Sequence, residues 1–294
     1  MKKKFVVLFN PPRTDWLAAQ EVLVAVGRKR LAVQPKREFG YVLEFDNEGD
    51  YEHFVAEAKR RNLPPDSIFA RVEKQVSLQQ LEAPLVRLKV TSKPRGRGGP
   101  SYGTKYDVTK GCPQCGTGSP QISPLYVRSS DAPRRGNVWQ TLDNEVLLDP
   151  TISTTLVGTT GVEMRQAHSS DDDRVLPWFQ LIPLHQLPRM ARTTEGIYQD
   201  DPCNLCKRDG FYTRMSHTIR YELDLDKVPD VSHTYECFGR SVLATPFAKS
   251  HFAQPLVILR RHVVVRLVDA GARDISVDPL EVVDTSPSRS LTPV

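Results

Sequence analysis

Cys112-Pro113-Gln114-Cys115-Gly116 and Cys203-Asn204-Leu205-Cys206 are the two stretches on which the reading of this chain turns. Each places two thiols on one tight turn, and Gly111 and Gly116 around the first pair permit the backbone angles such a turn needs. Four thiolates from two turns make the tetrahedral sulfur set that suits a structural zinc ion, one Zn2+ per chain. The unusual feature is the gap. Between Cys115 and Cys203 lie 87 residues, whereas short zinc ribbons join their turns within roughly 15–20. The fold of everything between must therefore deliver the second pair. Two independent dithiols, or a redox-active pair, are the competing readings of the same motif. The fifth cysteine, Cys237, reads as a small hydrophobe.

The chain around these turns has 294 residues, enough for about two domains and a core that needs no disulfides. Apolar content of 39% with 26% charged residues fits a soluble globular protein and excludes wholesale disorder. The longest apolar runs, such as Phe5 to Phe9, fall far short of the roughly 20 residues of a membrane span. Lys2-Lys3-Lys4 precedes only a short apolar run, too short for the core of an export signal. The expected location is the cytoplasm, where reducing conditions favour metal binding over structural disulfides. The net charge of +5 excludes a histone-like binder and is unevenly spread. It divides into +4 over residues 1–90, +4 over 91–111 and −3 over 112–294, so any phosphate partner belongs with the first two segments.

Residues 1–90 read as a small α+β domain. Phe5–Phe9, Tyr41–Phe45, Ile68–Val72 and Leu85–Val90 are strand candidates. Thr14 is placed to cap a helix with Leu17, Val22 and Ala25 inward and Gly27 as its stop. A second helix over about 48–62 carries Tyr51, Phe54, Val55 and Ala58 on one face and ends before Pro64-Pro65. Residues 91–111 hold five glycines and two prolines without apolar periodicity, which predicts a basic Gly/Pro-rich linker. Within it, Arg95 and Arg97 of Arg95-Gly96-Arg97-Gly98-Gly99 are candidate contacts to single-stranded nucleic acid.

Residues 112–285 read as a zinc-binding region of two related halves, about 112–175 and 200–285, followed by a flexible tail over 286–294. Val146-Leu147-Leu148, Ile152, Leu156, Gly161 and Met164 recur as Val257-Ile258-Leu259, Val263, Leu267, Gly271 and Ile275 at an offset of 110 or 111. The repeated unit is a strand, a short helix, a glycine stop and a returning strand. The cysteine pairs recur at an offset of 91. Two such halves about a pseudo-two-fold axis would bring their turns together and account for the long gap. The Pro-rich junction Leu176–Pro183 predicts extended or edge structure, with Trp178 and Phe179 covering the core between halves.

No motif for a serine hydrolase, a zinc protease, a phosphate-binding loop or a dinucleotide fold is present. His168 followed by Ser169, Ser170 and Asp171–Asp173 reads as a solvated polar turn. His217, His233 and His251 could in principle join the metal, but four thiolates already complete a tetrahedron, and a catalytic zinc needs an open position.

The paired cysteine motifs, the Leu176–Pro183 segment and the ending from Gln254 through Gly271 to Val283 resemble the double-CXXCG proteins, found mainly in myxobacteria and without an established function. Cys112–Gly116 matches their motif; the second turn carries Lys207 where the family has glycine. The closing strand-helix-strand is also similar to the C-terminus of several bacterial immunity proteins. The closed thiolate set and the absence of a nucleophile or base constellation point to a cytoplasmic zinc-binding interaction module rather than an enzyme, and the likeness to immunity proteins implies a protein partner such as a bacterial toxin. The alternative is a zinc-ribbon-like nucleic-acid binder using the basic linker; a third is an enzyme with a site near His168 or His217.

Overall fold

A computed structural model describes residues 2–9, 13–27, 41–45, 48–75, 82–91, 96–133 and 137–285. The chain is mixed α+β and divides into two compact units, Met1–Leu81 and Glu82–Val294. In the first, β1 (Lys2–Phe9) is the centre of an antiparallel sheet, flanked by β2 (Tyr41–Phe45) and β3 (Ile68–Gln75). Helices α1 (Trp16–Ala25) and α2 (Glu48–Arg60) complete it. Phe54 of α2 meets Phe9 and Phe45 with ring centroids 5.3 and 5.4 Å apart. The inward stripe of α1 is Ala19, Val22 and Leu23, while Leu17 and Ala25 are exposed. The spacing of Ala19, Val22 and Leu23 follows the helical i, i+3, i+4 rule, which Leu17 and Val22 do not. Asp15, not Thr14, occupies the cap position, after a 3₁₀ turn.

The division after Leu81 moves β4 (Leu85–Val90) out of the N-terminal domain to which its position in sequence assigned it. β4 sits between β14 (Gln254–Arg260) and β15 (Ile275–Pro279) in the four-stranded sheet β13-β14-β4-β15, with β13 at Val231–Phe238. A second sheet has the order β5-β8-β9-β7-β6, from Tyr126–Val127, Val162–Ser169, Val175–Pro183, Val146–Leu148 and Val138–Gln140 respectively. Helix α3 (Pro150–Thr154) joins β7 to β8, and α4 (Arg261–Asp269) joins β14 to β15. A ribbon β10 (Glu195–Gln199)–β11 (Phe211–Thr218) and a parallel pair β12 (Arg220–Leu223)–β16 (Glu281–Asp284) finish the unit.

The two sheets repeat one another in strand order. β6-β7-β9-β8 corresponds to β13-β14-β4-β15, and in each a hairpin leads through a helix to a strand on the far side of a central antiparallel one. Met164 faces Leu181 as Ile275 faces Val90, the first residues offset by 111 and the second by 91. What differs is the origin of the central strand. β4 precedes the first cysteine turn but lies in the second sheet, whereas β9 precedes the second turn and lies in the first. The halves cannot be cut at 175 and 200, because β9 runs to Pro183 at the centre of the first sheet.

Pro177 is accommodated in that central strand because it falls where the β8–β9 register shifts, between the pairs Gln166–Phe179 and His168–Val175. Trp178 is buried in a cluster with Leu125, Val127, Trp139, Leu147, Ala167 and Leu176, edge-on to Trp139 at 5.5 Å. The second core gathers Leu85, Leu187, Ile219, Tyr221 and Ile258.

The predicted linker is, over its described residues 96–111, part of this unit. Gly96 donates to Gln140 O at 3.0 Å and accepts from Leu142 N at 2.8 Å. A Cβ at Gly96 would overlap the Trp139 ring, so glycine is required there for close approach. Gly98 bridges to Val127. The tail over 286–294 lies outside the described residues.

Candidate metal centre

Cys112, Cys115, Cys203 and Cys206 converge, each sulfur within 4.8 Å of the others. Equivalent cysteines of the two turns face one another: Cys112 Sγ is 3.7 Å from Cys203 Sγ, and Cys115 Sγ is 3.7 Å from Cys206 Sγ. No disulfide links them, since all four are free thiols. A tetrahedron with metal–sulfur bonds of about 2.3 Å has sulfur–sulfur edges of about 3.8 Å. The donor set therefore fits a four-coordinate metal ion with little rearrangement.

The two turns are built alike. Gly116 N donates to Cys112 O at 2.7 Å, and Lys207 N donates to Cys203 O at 3.1 Å. Gly116 and Lys207 are both left-handed, at φ 77° and 54°. At Gly116 a side chain would also collide with Phe252. Lys207 adopts the same conformation at a strain cost of about 1 kcal/mol.

Backbone amides turn inward toward the sulfurs. Burial works against the Cys112 thiolate, but the N–H groups of Cys115 and Gln114 and the neighbouring Cys115 and Cys203 thiols outweigh it, bringing Cys112 down to about 7. Burial pushes the Cys115 and Cys206 thiols up, against N–H donors from Thr117 and Arg208 respectively.

Three residues that carry no motif hold the turns in place. The Asp209 carboxylate, 1% exposed, accepts from Cys203 N at 2.8 Å and from Ser241 N at 3.0 Å. Thr117 Oγ1 donates to Ser241 Oγ at 2.8 Å and lies 3.0 Å from Cys115 Sγ. Ala253 N also donates to Ser241 Oγ at 2.8 Å. Ser241 thus ties both turns to the β13–β14 connection. Single polar residues of this kind have no spacing signature, and sequence reasoning passed over them.

Cys112 and Cys115 are buried and Cys203 and Cys206 half-buried. A cleft of about 230 Å³ reaches Cys115 and Cys203 between Gln114, Asn204, Arg240 and Val242. Cys237 stands apart from the cluster, 3% exposed, its thiol pushed up to about 12 by burial.

The other sequence candidates lie elsewhere. Arg97 is engaged in a two-pronged ion pair with Asp131, with both nitrogens at 2.8 Å, and Arg95 falls outside the described residues. His168 contacts Asp173 at 3.3 Å in the β8–β9 turn. His217 approaches Asp278 at 3.5 Å and Arg87 at 3.4 Å. His233 Nδ1 is 2.9 Å from Thr234 O, and His251 pairs with Asp143 at 2.9 Å. Among the described residues no histidine joins the cysteine cluster, and no helix is long and apolar enough to cross a membrane. No family model and no curated protein matches the chain.

Proposed function

We propose that residues 82–285 form a protein-interaction module clamped by one structural Zn2+ held by Cys112, Cys115, Cys203 and Cys206. The observation that carries this reading is the meeting of two turns 91 residues apart with sulfurs 3.7 Å from each other. Four sulfur donors saturate a tetrahedral ion, which makes its contribution mechanical: it links the connection between β4 and β5 to the turn of the β10–β11 ribbon. Thiolates also suit iron–sulfur clusters, but a single tetrahedral ion fits the compact sulfur set better. The partner in this reading is a protein, with a bacterial toxin as the specific candidate, and the zinc holds the surface that meets it. The basic segment supports a nucleic-acid partner poorly, since Arg97 is already committed to Asp131.

The test is co-expression with the toxin encoded by a neighbouring reading frame. The wild-type chain should restore growth and Cys203→Ser should not. Growth that stays arrested with wild-type chain at matched expression would overturn the immunity reading.

A further inference from the structure

The four sulfurs of the metal centre are paired as well as clustered. Cys112 Sγ lies 3.7 Å from Cys203 Sγ and Cys115 Sγ lies 3.7 Å from Cys206 Sγ, so each sulfur of one turn has a close counterpart in the other. A disulfide holds its sulfurs at about 2.05 Å, so about 1.7 Å of further approach, shared between two side chains, would close either pair. The protein itself holds the turns face to face. Asp209 accepts from Cys203 N and Ser241 N, and Thr117, two residues beyond Cys115, donates to the same Ser241. The pairing therefore does not need a metal ion to bring it about.

The sulfurs are not equally reachable. Cys115 and Cys203 line the cleft, and Cys112 and Cys206 do not. Of the two in the cleft, Cys115 is buried and its sulfur is in contact with Thr117 Oγ1 at 3.0 Å, whereas Cys203 is half-buried. A small solute entering the cleft meets Cys203 first. The sulfur behind it is that of Cys112, itself buried.

We propose that the cysteine centre is also a site of reversible thiol oxidation, at which a peroxide entering the cleft converts the metal clamp into a disulfide clamp across the two turns. The Cys203 sulfur attacks one peroxide oxygen, breaks the O–O bond and becomes a sulfenic acid, while the other oxygen leaves as water. The Cys112 sulfur then attacks the Cys203 sulfur and expels the hydroxyl, which also leaves as water, and the Cys112–Cys203 disulfide forms. Two thiols (or two metal-bound thiolates and two protons) and one peroxide give one disulfide and two waters; the sulfurs lose two electrons and the peroxide gains them. A second peroxide closes Cys115–Cys206 in the same way. With the sulfurs bonded to one another, no thiolate remains to hold Zn2+, and the ion leaves. The turns stay joined, because each new bond crosses from one turn to the other. Bonds within each turn would have freed them. The clamp thus persists in reducing surroundings, where thiolates hold a metal, and in oxidising ones, where disulfides endure. Only the loss of zinc rests on the metal-centre reading; the pairing rests on the sulfur positions alone.

The experiment treats the purified full chain with one and then two equivalents of hydrogen peroxide, alkylates the remaining thiols in denaturant and maps unreduced tryptic peptides by mass spectrometry. Trypsin leaves Cys112 and Cys115 in the peptide 111–128 and Cys203 and Cys206 in the peptide 193–207. At one equivalent the two peptides should be joined through Cys112 and Cys203, with Cys115 and Cys206 alkylated. At two equivalents both pairs should be joined, while Cys237, buried apart from the cluster, still carries the alkyl group. Zinc passed to a chromogenic chelator should rise in step with the disulfides. The oxidised chain should unfold at least about 5 °C above the reduced, metal-free chain, a gain that a dithiol reductant removes, because each bond closes a loop of some 90 residues. Two separate peptides, each lighter by two hydrogens, would place the bonds within the turns and overturn the clamp. Sulfinic acids without disulfides would overturn it as well, and a Cys115–Cys206 bond formed first would overturn entry at Cys203. A chain that carries no zinc as purified yet yields the joined peptides would overturn the metal reading and leave the disulfide clamp supported.

Discussion

Replacing Asp209 with alanine removes the acceptor shared by the two parts of the metal centre. The carboxylate takes the Cys203 N–H at 2.8 Å and the Ser241 N–H at 3.0 Å and is almost wholly enclosed. Alanine leaves both donors buried without a partner, at about 1–3 kcal/mol each, so the expected loss is about 2–6 kcal/mol. That is a large share of the stability of a typical domain. Asparagine can accept from one donor but presents an amide N–H to the other, and should lose about half as much. Supporting residues of this kind also orient the ligands, so metal affinity should fall about 10- to 100-fold in Asp209→Ala. Urea denaturation of zinc-loaded protein, with competition against a chelator of known affinity, measures both quantities. Wild-type midpoint and affinity in Asp209→Ala would refute the idea that this carboxylate fixes the second turn.

Three further outcomes follow from local geometry. Lys207→Gly relieves a left-handed residue at φ 54°; set against the freer unfolded chain, the gain should be no more than about 0.5 kcal/mol, read as a urea midpoint at or slightly above wild type with unchanged slope. Gly96→Ala drives a methyl into the Trp139 ring and should lower stability by about 2 kcal/mol or more, with a changed near-ultraviolet dichroism from the Trp139–Trp178 pair. Arg97→Ala releases Asp131, whose carboxyl the Arg97 guanidinium holds down to about 2. A depressed carboxyl stabilises the fold above its ordinary range and loses that effect as pH falls, so wild type should exceed Arg97→Ala near neutrality and the difference should vanish toward about pH 2. A difference that persists undiminished in acid would show that the pair is not its source.

The cysteine turns and the strand-helix-strand units were legible because their signals are local. Two thiols on one turn declare their chemistry, and Ile152, Leu156, Val263 and Leu267 keep helical spacing in the sequence as they do in the core. The central positions of β4 and β9 in their sheets were not legible. Nothing in Leu85–Val90 indicates that its partners lie some 170 residues onward, since strand pairing is decided by long-range packing that a short apolar run does not encode. The Arg–Gly segment misled for a related reason. Glycine there reads as freedom, but at Gly96 it is close approach to a tryptophan contributed by β6. Pro177 likewise suggested an edge, and only the register shift in β9 shows how a central strand admits it. Thr117, Asp209 and Ser241 act through single hydrogen bonds between distant segments, which no spacing rule reports.

The claim at the centre of this account is that one metal ion joins the two cysteine turns, and elemental analysis of purified wild-type chain and Cys203→Ser, alongside their thermal unfolding, tests it most directly. Wild type should carry about one zinc per chain, and Cys203→Ser should lose most of it and unfold at a lower temperature, because binding energy at a structural site is folding energy. Full zinc retention with unchanged stability in Cys203→Ser would contradict the shared site.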